Sequence, residues 1–283
     1  MDTYLVRLRP VSPYLTPWRN CTLWGRLAWI VQSGHLPGWD IARWVGLTPE
    51  GLPPVIVGDA FPVDAVPVPA KFRQGSTRAH KDFKVLPWDS WQALCASGVW
   101  PKLDQPTPTP RIERMHVSMN RSSGSSMEGG LRTEIGSQPK ELLVVVQSNE
   151  MDQTGLELLF QELCIEGWGA NRSSGYGQLQ FESVEAIARP ADTGWIVALG
   201  HVHPTDDLPE QGYWQWTGVP VRPHDAQSRQ GRQDYFATML GPGASFPTNA
   251  HHIGRTIEWE GRKDYRHFGI APTWPVTVSS KSP

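Results

Sequence analysis

The chain has 283 residues, a length that suits one large domain or two domains of ordinary size. Lys and Arg total 26 against 28 Asp and Glu, which excludes a uniformly basic protein of the kind that binds nucleic acid over its whole surface. Any contact with nucleic acid must therefore come from local clusters of basic residues.

Cysteine content and the N-terminus indicate the compartment. The 3 cysteines, Cys21, Cys95 and Cys164, include no CxxC pair and cannot all pair with one another, which argues against a disulfide framework and favours a reducing environment. The N-terminus lacks the basic and apolar regions of a secretory signal, and no uncharged apolar stretch approaches about 18 residues. We therefore expect a soluble, cytoplasmic protein with no membrane partner.

The chain opens with a predicted strand and a predicted helix. Residues 3–9 alternate between apolar and polar positions, which predicts a strand. The pair Thr16-Pro17 is typical of a helix start, and Gly34 is typical of a helix end. The apolar side chains between them share one helical face: Leu23, Leu27, Ile30 and Val31.

Residues 35–110 are rich in Pro, Gly and Trp, and we expect short strands such as 54–57 joined by long loops. Residues 89–96 predict a short helix with Asp89 as its N-cap. Residues 111–136 are polar with Ser and Gly at their centre, which predicts an exposed hairpin.

A second strand and helix begin near residue 140. Residues 142–146 are all apolar, as in a buried strand, and an amphipathic helix is predicted around Leu156, Leu159, Phe160 and Leu163. A glycine-rich loop at 167–177 and two further strands follow. This order repeats the opening of the chain and predicts an α+β fold of two ferredoxin-like (RRM-type) halves, 1–138 and 139–283, with a protruding β-hairpin. Residues 195–283 predict mostly short strands with Gly/Pro loops.

The glycine-rich loop is the first candidate site, because glycines let backbone amides approach a phosphate chain closely. The loop follows a helix and precedes a strand, the reverse of a dinucleotide fingerprint, and no GxxxxGK[ST] motif occurs. An ordinary helix-to-strand loop is the alternative interpretation. The loop residues that could bind RNA by amide, hydroxyl, cation or base stacking are Gly169, Asn171, Arg172, Ser173, Ser174, Gly175, Tyr176 and Gly177.

The predicted hairpin is the second candidate. Met115, Val117 and Met119 alternate with polar residues, so one face is expected to be apolar while the other meets RNA, and apolar tips of such hairpins can wedge between bases. A solvated surface hairpin is the alternative. The candidate contacts are His116, Ser118, Asn120, Arg121 and Arg132.

The start of the first helix is the third candidate, because free amides at a helix N-terminus attract phosphate. Asn20 or Thr22 can cap the helix and bind, and Arg19 and Arg26 supply charge. An ordinary capped core helix is the alternative.

Catalytic and metal-binding patterns are sparse. No HExxH motif occurs, and the adjacent pair His251-His252 cannot point one way on a strand, so we expect no metal and no cofactor. His116 is the candidate general base if the protein cleaves RNA.

Short motifs along nearly the whole chain resemble the RAMP family, and within it the fourth Csm subunit of type III-A CRISPR effectors. These motifs keep the family's order, and their shared order makes the resemblance specific. In this sequence, Asn120 stands where the family's hairpin has Asp, and the 241–243 segment lacks the family's Glu. The matching segments are 21–27, 59–62, 67–71, 81–86 with 91–98, 116–124, 167–177, 239–246 and 265–269.

This resemblance implies a non-catalytic subunit that grips the repeat-derived 5′ handle of the CRISPR RNA. It implies contacts with the large polymerase/cyclase-like subunit and the first backbone RAMP subunit, and a thumb, the hairpin at about 111–136, that pushes between guide and target RNA bases. The exact type III subtype stays open.

Two other functions stay open at this point. One is a RAMP endoribonuclease that processes precursor CRISPR RNA with His116 as base. The other is a scaffold that mainly binds protein, which the 14 Trp residues would serve as interface anchors. The anchors would be Trp168, Trp195, Trp214 and Trp216.

Overall fold

The computed structural model describes residues 1–46, 52–73, 80, 83–102, 109–119, 122–123, 125–221, 235–259 and 262–278. Within these residues helices and strands mix along the chain, which confirms the predicted α+β class. No helix among them is both long and apolar enough to cross a lipid bilayer.

The elements follow in chain order. The described helices are α1 (Asn20–Gln32), α2 (Ile41–Val45), α3 (Ala70–Arg73), α4 (Trp88–Ser97) and α5 (Gln153–Glu166). The described strands are β1 (Asp2–Pro10), β2 (Val55–Pro62), β3 (Val66–Pro67), β4 (Val85–Leu86), β5 (Arg111–Met119), β6 (Ser126–Ser137), β7 (Leu142–Ser148), β8 (Leu179–Ala186), β9 (Ile196–Ala198), β10 (Trp216–Val221), β11 (Tyr235–Leu240), β12 (Ser245–Phe246), β13 (His252–Gly254), β14 (Ile257–Trp259), β15 (Arg262–His267) and β16 (Ile270–Pro275).

The first sheet has the antiparallel strand order β2-β7-β1-β8 and lies between two apolar layers. On β1, Tyr4, Val6 and Leu8 pack against α1 and α5, whereas Leu5 points to the opposite face. The neighbouring strand β7 is buried along its whole length because both of its faces are covered. This double burial explains the continuous apolar run that the sequence shows there.

Strands from both predicted halves form this one sheet. The division expected between residues 138 and 139 falls between β6 and β7, yet β1 and β2 before it pair with β7 after it. Along the chain the elements of the sheet run β1-α1-β2-β7-α5-β8. The helix α5 packs on this sheet through its buried apolar side chains, Leu156, Leu159, Phe160 and Leu163.

A second sheet, with strand order β12-β9-β16-β13, covers the opposite face of the first. The described residues after 186 contain no helix, and it is α4 from the N-terminal half that packs here, through Trp88 and Trp91 against Trp274. A second ferredoxin-like half is therefore not confirmed. The prediction of Asp89 as N-cap is wrong, because α4 begins one residue earlier, after Pro87, and Asp89 lies in its first turn.

A buried polar cluster joins α1 to both sheets. The Asn20 amide nitrogen Nδ2 donates to the carbonyl oxygens of His201 and Ile270, each at 2.9 Å. Asp59 on β2 accepts from the backbone N–H of Asn20 at 2.8 Å, and its other oxygen lies 2.8 Å from Nδ1 of His201. The Asp59 carboxylate thus occupies the N-terminus of α1, where the helix dipole favours negative charge.

Two further histidines lie beside this cluster. His203 Nε2 and His267 Nδ1 are 2.6 Å apart, so one ring must donate a proton to the other. Burial, with the charge of His267, lowers the pKa of His203 to about 3, and burial, with His201, lowers the pKa of His267 to about 4. Both rings are therefore neutral in the folded protein near neutral pH.

We expect acid to destabilise the protein through this pair. From an unfolded pKa of 6.5 down to about 4, the unfolded chain binds protons that the folded chain does not, so stability falls as pH falls. Each histidine adds up to about 1.4 kcal/mol per pH unit in this window. Urea unfolding at several pH values measures the slope, which His203→Gln should reduce. An equal slope in His203→Gln and the unaltered protein would contradict this assignment.

Candidate nucleic-acid interface

The three segments that the sequence singles out meet in space. The glycine-rich loop packs on the residues that precede α1, where Trp168 stacks on Trp18 with ring centroids 4.0 Å apart. The backbone N–H of Ala170 donates to the Thr16 hydroxyl at 3.0 Å, and the indole N–H of Trp168 donates to the Thr16 carbonyl at 2.9 Å. The loop is therefore fixed against the entry to α1.

The hairpin of β5 and β6 packs on the other side of the loop. Its strands pair with each other in the segment where the sequence predicts a hairpin. The Tyr176 hydroxyl hydrogen-bonds with Nε2 of His116 at 2.9 Å, and the Asn171 side-chain amide donates to both carboxylate oxygens of Glu134 at 2.9 Å. These contacts dock the base of the hairpin onto the loop.

Basic residues outnumber acidic ones around this junction. On the hairpin side, Arg132 lies 3.4 Å from Glu134, and the Arg114 guanidinium lies 5.2 Å from the centre of the Tyr176 ring. On the α1 side, Arg26 pairs with Glu166. Arg172 lies 4.0 Å from the same carboxylate. Three of these four arginines pair with the two carboxylates, and Arg114 pairs with neither, so positive charge exceeds negative charge among these side chains in a chain whose formal net charge is −2.

The loop backbone exposes several donors. Gly167, Gly169, Gly175 and Gly177 adopt positive φ, as does Asn171, so the chain coils tightly. The backbone N–H groups of residues 174–178 donate to acceptors within the loop or at residues 12 and 13. Within the described part of the chain, four amides have no intrachain acceptor: those of Gly169, Asn171, Arg172 and Ser173. The side chains of Arg172, Ser173 and Ser174 are exposed beside them, and such an array suits an anion.

Several predicted contacts have structural roles instead. Asn20 is fully buried with both amide hydrogens bonded, and Asp59 already occupies the α1 N-terminus, so neither the Asn20 side chain nor that helix end is open to phosphate. Arg19, and not Asn20 or Thr22, is the N-cap residue, without a side-chain cap. The Tyr176 ring is buried and cannot stack on a base in this conformation. Burial and the Glu134 carboxylate raise the pKa of its hydroxyl.

The two faces of the hairpin differ in polarity, as predicted, and have different surroundings. The face that carries His116 turns toward the loop, whereas the apolar face is open to solvent. Met115 is 73% exposed and Leu131 is 67% exposed, and Val117 and Ile135 are also exposed on this face. Sequence alternation predicts that two faces differ but does not tell which face packs on the rest of the protein.

The remaining predicted residues vary in access. Arg132 is more than half exposed, Ser118 and Thr22 are exposed, and Arg19 is half-buried. Asn120 and Arg121 lie outside the described residues. Glu134 and Glu166, which pair with the arginines, were not among the predicted residues. The spacing of Arg132 and Glu134 by two residues on one predicted strand was the available signal.

The described residues contain no group of three His, Cys, Asp or Glu side chains arranged to hold a metal ion. The three cysteines are free thiols, and burial raises the pKa of Cys95 well above its usual value.

The chain is similar to known proteins in its structure but not in its sequence. No protein-family model matches the chain. No curated protein matches it either. It superposes on the Csm4 chain of a Csm1-Csm4 cassette in complex with AMPPNP with a TM-score of 0.60 and 14% identity, over 98% of this chain and 99% of that one.

Two other solved structures give the same result. A Csm1-Csm4 cassette in complex with pppApA matches with a TM-score of 0.60 and 14% identity over 99% of this chain and 100% of that one. The Csm3-Csm4 subcomplex of the type III-A CRISPR-Cas interference complex matches with a TM-score of 0.56 and 11% identity over 98% and 100%. The chain thus has the fold of these Csm4 subunits along nearly its whole length, as the sequence motifs suggested.

The close contact between the two ends of the loop can be tested by stability. At Gly177 the backbone has φ +65°, and an added Cβ would lie 1.8 Å from the carbonyl oxygen of Trp168, so Gly177→Ala should destabilise the protein by at least about 2 kcal/mol. Gly25 in α1 has open space around its Cβ position, and Gly25→Ala should stabilise by about 0.5–1 kcal/mol. Chemical unfolding measures both values. Equal stability of the two variants would contradict the described loop.

Proposed function

We propose that this chain is a non-catalytic RNA-binding subunit of a type III CRISPR effector that grips the repeat-derived 5′ handle of the guide RNA. The observation that carries the proposal is the convergence of the glycine-rich loop, the hairpin and α1 on one arginine-rich junction. The Csm4 fold, shared over nearly the whole chain, supports the same function.

RNA phosphates are the chemical group that best fits the junction. The unpaired loop amides offer neutral donors at close range, and exposed Arg172 adds a cation beside them. The Glu166 carboxylate, 4.0 Å from Arg172, holds this arginine in place before RNA binds. A phosphate that approaches Arg172 then competes with this carboxylate. We assign Arg132, on the exposed part of the hairpin, to a neighbouring phosphate.

The order β1-α1-β2-β7-α5-β8 supports a ferredoxin-like unit, since its four strands have the antiparallel arrangement of a βαββαβ motif. The hairpin between β2 and β7 then corresponds to a thumb. Its exposed apolar side chains suit a surface that inserts beside unstacked bases of guide and target RNA.

We assign two protein partners to the chain: the large polymerase/cyclase-like subunit and the first backbone RAMP subunit. The structural relatives carry this assignment, because they are Csm4 chains in a Csm1-Csm4 cassette and in a Csm3-Csm4 subcomplex.

The environment of His116 supports binding without catalysis. Its ring hydrogen-bonds with the buried Tyr176 hydroxyl and lies 3.5 Å from the Glu134 carboxylate, so it helps dock the hairpin. The alternative is a RAMP endoribonuclease with His116 as general base, which requires this ring to reach an RNA 2′-hydroxyl.

Removal of the Arg172 cation should weaken RNA binding. We expect Arg172→Ala to lower affinity for handle-containing RNA about tenfold, which equals about 1.4 kcal/mol, and to reduce the slope of log affinity against log salt by about 0.7–0.9. Fluorescence anisotropy at several salt concentrations measures both quantities. Arg43→Ala is the matched control, because Arg43 pairs with Glu150 next to the far end of β7.

The carboxylate beside Arg172 provides the opposite change. Glu166→Gln releases Arg26 and Arg172 from their shared partner and should raise affinity for the same RNA severalfold. Equal affinity of Arg172→Ala, Glu166→Gln and the unaltered protein would refute the proposed grip.

Catalysis can be tested with precursor CRISPR RNA and no added metal. We expect no cleavage by the unaltered protein, because His116 is engaged in hairpin docking. Cleavage that disappears in His116→Ala but persists in His35→Ala would replace the binding proposal with the endoribonuclease.

A further inference from the structure

A pocket of about 710 Å³ lies at the base of the hairpin. Its walls come from the segment before α1, the end of β2 and the two ends of the hairpin. The volume lies within the range of about 300–1,000 Å³ that is usual for small-ligand pockets, so one nucleoside can fit. The lining residues are Tyr14, Pro62, Thr109, Pro110, Arg111 and Ser137.

Backbone hydrogen bonds hold the pocket walls in place. The N–H of Tyr14 donates to the carbonyl of Ser137 at 2.9 Å, and the N–H of Ser137 donates to the carbonyl of Tyr14 at 3.0 Å. The N–H of Gln138 donates to the Pro110 carbonyl at 3.1 Å, and Pro62 is paired within the first sheet. A ligand would therefore enter a site whose walls are already ordered.

The Tyr14 ring is the aromatic wall of the pocket. It is half-buried and meets Trp18 in a T-shaped contact, with ring centroids 5.9 Å apart. Trp18 in turn stacks on Trp168 of the glycine-rich loop, so the contacts that fix the loop also fix the Tyr14 ring. A fixed aromatic ring beside two prolines, Pro62 and Pro110, suits a flat aromatic ligand.

The pocket adjoins the loop that offers the phosphate donors. Pro13, next to Tyr14, accepts the backbone N–H of Gly177 at 2.9 Å. The Cβ position of Gly136, next to Ser137, lies 2.7 Å from the Cβ of Pro13. An RNA strand with a phosphate at the loop can therefore direct a neighbouring base toward the pocket.

The charges around the pocket favour an uncharged ligand over a phosphate. Arg111 is the one charged side chain that lines the pocket among the described residues. Burial and the nearby Asp64 carboxylate raise the pKa of Tyr14, so its hydroxyl stays neutral. Residues 103–108, which precede Thr109 and lie outside the described residues, carry Asp104 as their only charge. Positive charge therefore has no excess here, in contrast to the arginine-rich junction.

We propose that this pocket binds one unpaired nucleobase of the 5′ handle, stacked on the Tyr14 ring, while the glycine-rich loop binds an adjacent phosphate. Resting on the proposed function, the inference adds a base contact to a grip otherwise made with the RNA backbone. The hydroxyls of Thr109 and Ser137 and the Arg111 guanidinium are the groups available to hydrogen-bond with the edge of the base.

The test uses the full chain and handle-containing RNAs in which each handle position in turn carries an abasic ribose, which keeps the phosphate and removes only the base. We expect one position at which base removal lowers affinity about tenfold in fluorescence anisotropy. Tyr14→Ala should lower affinity for the intact RNA by a similar factor and should bind the intact and that abasic RNA equally. Thr109→Trp, which fills the pocket from its rim, should behave in the same way.

Matched controls separate base binding from folding. Tyr14→Phe keeps the ring, and Val11→Ala removes an exposed side chain of the same segment that does not line the pocket. Both should bind every RNA as the unaltered chain does. If the thermal midpoint of Tyr14→Ala falls because the Trp18 contact is lost, Thr109→Trp decides the test.

Each outcome supports or overturns the inference. If the unaltered chain does not bind handle RNA, the proposed function fails and this inference fails with it. If the chain binds handle RNA through Arg172 but binds all abasic RNAs equally, only this inference fails. Equal weakening by Thr109→Trp for intact and abasic RNAs would also overturn it. So would a base dependence found only when the abasic series is placed in a target RNA paired with the guide.

Discussion

The arrangement of this protein depends on the buried contact between Asn20 and Asp59. Asn20 begins α1, Asp59 lies in the middle of β2, and the carbonyls that accept from Asn20 belong to the second sheet region, at His201 and Ile270. One pair of polar side chains therefore fixes a helix, the first sheet and the second sheet relative to one another. Because each buried polar atom would cost roughly 1–3 kcal/mol if its partner were lost, this geometry is strongly specified.

The candidate interface follows from that arrangement. With α1 anchored by Asn20, the residues before it lie where Trp18 stacks on Trp168, and the glycine-rich loop folds over them. The hairpin then docks on the loop through Tyr176 and Asn171. The candidate interface is thus formed by residues far apart in sequence, and the buried Asp59 carboxylate already occupies the N-terminus of α1.

Sequence periodicity predicted the main elements but not their partners. The strand at 142–146 and the helix around Leu156 have strong patterns because burial requires them, and both occur as predicted. The pairing of β7 with β1 across some 140 residues leaves no local trace, so the predicted division at residue 138 separated strands of one sheet. Likewise, the cap of α1 comes from Asp59, 39 residues away, and nothing near Asn20 indicates it.

The way β2 joins β7 has a consequence for how this architecture can vary. Pro62 and Leu142 face each other in the sheet, so the 63–141 segment, with α3, α4 and the hairpin, is topologically one long connection between adjacent strands. Closing such a connection costs only about 0.6 kcal/mol more for each doubling of its length. The hairpin can therefore lengthen or shorten beyond the residues that dock on the loop while the sheet register stays the same. Variation in the length of this element is thermodynamically inexpensive.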